Sequence, residues 1–116
     1  MRHVLIIEDE PLVALDLEQM LADNGATSFD VAMGEEEAVA CALDHRPDLI
    51  TSDVKLLDGC GPRAVERIEE ALGPLPVIFV TGTPEDCAPI DVRHEILCKP
   101  ISPGAFVRAV HRALPD

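Results

Sequence analysis

Short apolar runs alternate with longer amphipathic stretches along this chain, and that alternation restricts its fold more than any other feature. Each apolar run has the length of one buried strand, and the runs are 3–8, 27–32, 48–53, 76–82 and 95–98. The stretches that have the spacing or end signals of helices are 10–24, 34–46, 61–72 and 102–114. Strands separated by helices predict a doubly wound α/β fold, in which helices cover both faces of a five-stranded parallel sheet.

Some segments carry signals for their place in the sheet. The run 27–32, "TSFDVA", is the more polar and is expected near an edge, whereas 76–82, "PVIFVTG", is rich in branched residues and is expected inside. Segment 83–94 is predicted to hold a short or distorted helix, because Pro89 falls within it. No linker interrupts the pattern, so we predict a single domain over 1–116.

Composition excludes several classes of function. The formal net charge is −13, which repels nucleic-acid phosphates and argues against direct DNA or RNA binding. No apolar run approaches the ~20 residues that span a bilayer, and no signal peptide is recognisable, so a cytoplasmic protein without a membrane segment is expected. The four cysteines and four histidines are dispersed without a C-x-x-C pair, which predicts free cysteines and no zinc site.

The predicted strands end in residues that carry charge or a hydroxyl. At these ends lie Glu8 and Asp9, Asp53, Thr81 and Lys99. The carboxyl ends of parallel strands meet at one edge of a sheet, where α/β proteins bind their ligands. Only two lysines occur in the chain, so a lysine at this edge is an uncommon choice. We therefore expect these side chains to form one site.

The residue types at this edge suit phosphoryl chemistry. Clustered carboxylates favour a hard cation, and Mg²⁺ is commonly held by one or two carboxylates, waters and a phosphate. An aspartate can also act as a nucleophile and form an aspartyl phosphate. A lysine ammonium and a threonine hydroxyl can each donate to phosphoryl oxygens. The three consecutive acidic residues 8–10 become explicable if a cation offsets their mutual repulsion.

Four short motifs resemble the signatures of the response-regulator receiver domains of two-component signalling. They are "IIEDE", "SDVKLLDGCG", "FVTG" and "CKP", which occur in the order and spacing of that family across the whole chain. The resemblance implies a flavodoxin-like sheet of order 2-1-3-4-5. It also implies that Asp53 is phosphorylated by a kinase phosphohistidine, with Thr81 and Lys99 binding the phosphoryl group.

The same resemblance implies a Mg²⁺ site. Asp9 would bind the ion directly and Glu8 through water, while Asp53 and the backbone carbonyl of Lys55 would supply further ligands. Glu10 receives no ligand role, since a negative charge near the first turn of a helix is favourable in itself.

Two features depart from the usual receiver pattern. Members commonly carry Tyr or Phe three residues before the lysine as a conformational switch that works with Thr81, and here that position is Ile96. The loop after Asp53 has "LDG" where many receivers have a proline, which is similar to an atypical group, often single-domain, with a Phe-Ala-Thr-Gly-like motif. Lys55 and Thr83 occupy positions that tune phosphoryl-group lifetime in the family.

The expected function is a phosphorylation switch that catalyses only its own phosphorylation and dephosphorylation. Its partners would be a sensor histidine kinase or phosphotransfer protein and an unknown downstream protein, and phosphate shuttling is a further possible output. One alternative, a phosphatase with an aspartate nucleophile, needs a second Asp where Lys55 stands. Another, a pseudo-receiver that only binds partners, predicts missing site residues, and none is missing.

Overall fold

A computed structural model of the protein describes residues 2–82 and 94–114, which form five strands and four helices. The strands are β1 (His3–Ile7), β2 (Ser28–Ala32), β3 (Leu49–Asp53), β4 (Val77–Thr81) and β5 (Glu95–Cys98). The helices are α1 (Pro11–Ala22), α2 (Glu35–Asp44), α3 (Gly61–Leu72) and α4 (Pro103–Ala113). Most of segment 83–94, with its predicted helix and Thr83, lies outside the described residues.

The five strands are parallel and follow the order β2-β1-β3-β4-β5, which confirms the predicted doubly wound sheet. The polar strand β2 lies at one edge, and the branched strand β4 lies inside, between β3 and β5, as expected. The chain order reverses between β1 and β3, where the crossovers leave the sheet to opposite sides. That switch point opens a crevice beyond the carboxyl ends of these two strands.

Side chains of each interior strand alternate between two cores. On β1, Leu5 and Ile7 pack with α2 and α3, whereas Val4 and Ile6 pack with α1 and α4. All four are almost fully buried, and burying such a side chain stabilises the fold by roughly 1.5–3 kcal/mol. The two cores hold the strand ends rigidly, which fixes the positions of the polar residues that follow them.

The start of α3 is pressed against the end of β3. A Cβ atom added to Gly61 would overlap the backbone oxygen of Asp53 and the hydroxyl of Ser52. The amide of Gly61 also donates to the carbonyl of Val54 at 2.9 Å. Glycine therefore allows the loop after Asp53 to close tightly. None of the helices in the described ranges is long and apolar enough to cross a membrane.

Candidate functional site

The predicted site residues converge at the carboxyl edge of the sheet. Glu8 follows β1, Asp53 ends β3, Thr81 ends β4, and Lys99 follows β5. Glu8 and Thr81 are each 1% exposed and Asp53 is 9% exposed, so the site is a recess rather than a surface patch. The parallel sheet brings together residues that are separated by up to 91 positions in the chain.

Both carboxylate oxygens of Asp53 have a hydrogen-bond donor. The amide of Val54 donates to Oδ1 at 2.8 Å, and the ammonium of Lys99 lies 3.1 Å from Oδ2. The hydroxyl of Ser52 donates to the Asp53 carbonyl at 2.7 Å. These contacts hold the carboxylate in a single orientation at the floor of the recess.

Lys99 links two carboxylates that come from different strands. Its ammonium lies 3.1 Å from Asp53 Oδ2 and 3.5 Å from Glu8 Oε1. Burial lowers the pKa of Lys99, but the hydrogen bond to Asp53 and the nearby negative charges outweigh it, so the pKa is raised. The Lys99 amide donates to the Thr81 carbonyl at 2.8 Å, and the Lys99–Pro100 peptide is cis.

Glu8 is the most deeply buried acid of the site. Desolvation, reinforced by the negative charge of Asp53, raises the pKa of Glu8 from 4.5 to about 7, against the opposing effect of Lys99. The amide of Glu10 donates to Glu8 Oε2 at 3.2 Å. The site therefore includes a carboxyl group whose ionised form is disfavoured by burial and by the charge of Asp53.

Asp9 and Glu10 extend this acidic cluster towards the surface. The Asp9 carboxylate accepts the Leu57 amide at 2.8 Å, which ties the loop after β3 to the end of β1. One carboxylate oxygen each of Glu8, Asp9 and Glu10 lies within 4.8 Å of the others. The Glu10 carboxylate therefore lies beside the predicted metal ligands, and its lack of a ligand role stays a prediction. The donors are all oxygen, which suits a hard cation such as Mg²⁺.

Two further predicted residues, Lys55 and Ile96, lie within the described residues. Lys55 is exposed, and its backbone pairs with Cys60 in an antiparallel bridge that closes the loop between β3 and α3. Ile96 is 39% exposed and stands opposite Phe79 of β4 in the sheet register. The sequence alone did not indicate a role for Gly61, where a side chain would overlap Asp53, or for the Leu57 amide, which donates to Asp9. Neither role depends on the chemistry of a side chain, so neither leaves a recognisable motif.

Comparison with known proteins decides the family. Residues 4–111 match the family model described as "Response regulator receiver domain". The chain belongs to the response regulator receiver family. Receivers act in two-component signalling, and phosphorylation and Mg²⁺ binding at an acidic site are typical of the family. The expected family and fold are thereby confirmed.

This receiver is similar to several bacterial regulators. The phyllosphere-induced regulator PhyR of Methylorubrum extorquens is 38% identical over 117 residues, covering 97% of this chain and 43% of PhyR. The transcriptional regulatory protein PdtaR of Mycobacterium tuberculosis is 38% identical over 86 residues, covering 70% of this chain and 39% of PdtaR. The receiver thus spans less than half the length of these curated relatives, which are named as regulators rather than enzymes.

Solved structures of PhyR proteins agree with the fold. The receiver domain of PhyR from Erythrobacter litoralis superposes with a TM-score of 0.87 and 28% identity, covering 97% of this chain and 88% of that one. PhyR from Brucella abortus gives a TM-score of 0.84 and 32% identity, with 97% of this chain and 47% of that one covered. The match to a receiver is therefore found in sequence and in backbone geometry.

Proposed function

We propose that this receiver is a phosphorylation switch whose acceptor is Asp53. The observation that carries the proposal is the placement of Asp53: a nearly buried carboxylate, oriented by the Val54 amide and paired with the Lys99 ammonium. A purely structural aspartate would need only the ion pair. Its position on the floor of a recess beside an acidic cluster suits a nucleophile that must meet a phosphoryl group.

The proposed transfer takes a phosphoryl group from the phosphohistidine of a sensor kinase or phosphotransfer protein. A carboxylate oxygen of Asp53 forms a new P–O bond, the P–N bond to the donor imidazole breaks, and the imidazole retains the electron pair. Lys99, now paired with Asp53, can donate instead to a phosphoryl oxygen. Thr81, at the end of the neighbouring strand, supplies a hydroxyl on the opposite side from Glu8.

The acidic cluster is proposed to hold Mg²⁺ during this transfer. Its ligands would be the carboxylates of Glu8, Asp9 and Asp53 and the backbone carbonyl of Lys55. Mg²⁺ supplies charge neutralisation on the phosphoryl oxygens when bound. The oxygen-only donor set and the raised pKa of Glu8, which signals surplus negative charge at a desolvated position, support this assignment.

The output is proposed to be a protein contact that changes with phosphorylation, or passage of the phosphate to another carrier. Exposed leucines flank the site: Leu57 is 91% exposed, and Leu12 and Leu15 follow the acidic cluster on α1. Such exposed apolar residues suit contact with a protein partner. One related PhyR, from Bartonella quintana, is described as an anti-anti-sigma factor, so a regulator of transcription initiation is a candidate partner class.

Phosphorylation by a small donor tests the acceptor directly. Incubation with acetyl phosphate and Mg²⁺ should give one phosphoryl adduct by intact mass, which hydroxylamine removes because an acyl phosphate is labile to it. The Asp53→Asn variant should give none. Asp58→Asn, a change of the same kind at an exposed position of the neighbouring loop, should still be modified. Modification of Asp53→Asn, or no adduct on the native chain despite Mg²⁺ binding, would contradict the proposal.

A further inference from the structure

A second cluster of potential ligands lies at the opposite end of the sheet. It contains His3 at the start of β1, Asp30 within β2, and His45 directly after α2. One donor atom from each of the three lies within 4.8 Å of the others. His3 and Glu8 are five residues apart along β1, so this cluster stands roughly 16 Å from the acidic site at ~3.3 Å per strand residue.

His3 is held in a fixed orientation inside this cluster. It is 5% exposed, its Nδ1 lies 2.8 Å from the Ser28 hydroxyl, and its Nε2 lies 3.0 Å from Asp30 Oδ2. The Ser28 hydroxyl can accept a proton donated by Nδ1, and a hydrogen bond from one ring nitrogen to a neighbouring oxygen is the usual arrangement around a histidine that binds a metal through the other nitrogen. The other nitrogen, Nε2, lies close enough to the Asp30 carboxylate oxygen for both atoms to become neighbouring ligands of one ion.

His45 completes the cluster from the exposed side. Its ring stacks on that of His3 with 3.6 Å between centroids and 10° between planes. The His45 amide donates to the Cys41 carbonyl at 3.0 Å, which anchors its backbone at the end of α2. Its side chain is at the surface and can turn to bring a nitrogen towards Asp30.

The surroundings favour a cation. The carboxylate of Asp48 accepts the His3 amide at 2.8 Å, which places a second negative charge beside the cluster. Burial is the main cause that raises the pKa of Cys41, which lies on the adjoining face of α2. The negative charges of Asp30, Glu37 and Asp44 raise this pKa further. Negative potential from several directions lowers the energy of a positive ion at this position.

We propose that His3, Asp30 and His45 bind one divalent transition-metal ion of the Zn²⁺ type, independently of the acidic cluster. Two imidazoles and a carboxylate match the ligand preference of Zn²⁺, whereas Mg²⁺ prefers oxygen alone. With Zn–N and Zn–O bonds of about 2.0–2.2 Å, neighbouring tetrahedral ligand atoms lie roughly 3.3 Å apart, near the observed His3–Asp30 separation. The bound ion would join β1, β2 and the end of α2.

A hydrogen-bond network without metal is the competing explanation of the same contacts. It accounts for His3, Ser28 and Asp30, which satisfy one another, but it assigns His45 only a stacking role. The two explanations therefore differ most at His45. Because this residue is exposed, His45→Ala should leave the fold intact and makes a decisive variant.

Calorimetry of the untagged chain with Zn²⁺ tests the proposal. Millimolar Mg²⁺ is kept present throughout, so that the acidic cluster is occupied by the ion it prefers. The native chain should bind one Zn²⁺. His45→Ala should weaken this binding by at least about tenfold, since loss even of outer-shell partners costs about 10- to 100-fold. His111→Ala, which removes an exposed histidine on α4, is the matched control and should bind as the native chain does.

Nitrogen NMR of the imidazole rings identifies the ligands. Zn²⁺ should shift a ring nitrogen of His3 and of His45 and leave the ring nitrogens of His111 unchanged. The proposal is overturned if the native chain binds no Zn²⁺ in Mg²⁺, or if His45→Ala binds it as tightly as the native chain. Neither result would touch Asp53 phosphorylation, which depends on the other end of the sheet.

Discussion

Replacing Glu8 with glutamine should stabilise the metal-free protein, and the gain should depend on pH. Glu8 is 1% exposed, and burial is the main cause that raises its pKa from 4.5 to about 7. A glutamine has nearly the same shape and retains an oxygen that can accept the Glu10 amide. It carries no charge, so the desolvation cost of an ionised group and the repulsion from Asp53 disappear together.

The sign and size of the effect follow from linkage between protonation and folding. The pKa of Glu8 is higher in the folded state, so the folded protein is favoured while Glu8 is protonated. This stabilisation is fully present below pH 4.5 and is lost as pH rises through about 7. Each pKa unit corresponds to about 1.4 kcal/mol, so ionised Glu8 destabilises the fold by about 3 kcal/mol near pH 8. Between about pH 5 and pH 8, the stability advantage of Glu8→Gln should grow by roughly 2–3 kcal/mol.

Urea unfolding in the presence of a chelator measures this difference. The chain contains no Trp and no Tyr, so far-ultraviolet circular dichroism is the appropriate signal. The midpoint should rise in Glu8→Gln at about pH 8 with an unchanged slope, which identifies a change in stability rather than in compactness. Near pH 5 the two midpoints should lie much closer together.

A neighbouring acid provides the control. Glu10→Gln removes a charge two residues away at an exposed position, and its effect should vary far less with pH. The reasoning is refuted if the difference between Glu8→Gln and the native chain is the same at both pH values. It is equally refuted if Glu8→Gln is the less stable protein at about pH 8 without metal.

Two further results are expected. Millimolar Mg²⁺ should raise the melting temperature of the native chain near neutral pH, because it binds the folded state and offsets the clustered charges. The melting temperature of Asp9→Asn should rise less. Equal melting temperatures of the native chain with and without Mg²⁺ would count against the metal site. Gly61→Ala should lower the free energy of unfolding by about 1–3 kcal/mol in urea titrations, because its Cβ overlaps Asp53 and Ser52. The matched Gly82→Ala change, with open space around the Cβ, should not show this loss.

The fold was largely predictable because its signals are local. Apolar runs of strand length, prolines in the first turns of α1, α3 and α4, and the polar character of β2 each report on nearby backbone. The capping of α4 by Ser102, which accepts the Ala105 amide at 3.4 Å, is another local signal. Parallel topology then places the carboxyl ends of all strands at one edge, so the sequence alone groups Glu8, Asp53 and Lys99.

What the sequence could not reveal depends on distances across the fold. The dispersed histidines predicted no zinc site, and the residues of the proposed Zn²⁺ site, at positions 3, 30 and 45, match no local ligand spacing. The pairing of β1 with β2 sets His3 opposite Ser28 and leaves Asp30 on the same face, and the end of α2 brings His45 onto His3. In the proposed arrangement, oxygen ligands lie where the strands end, and two histidines and one aspartate lie near the start of β1. A hard cation such as Mg²⁺ and a borderline cation such as Zn²⁺ can then bind one receiver without competing, because the two ends of the sheet offer different ligand atoms.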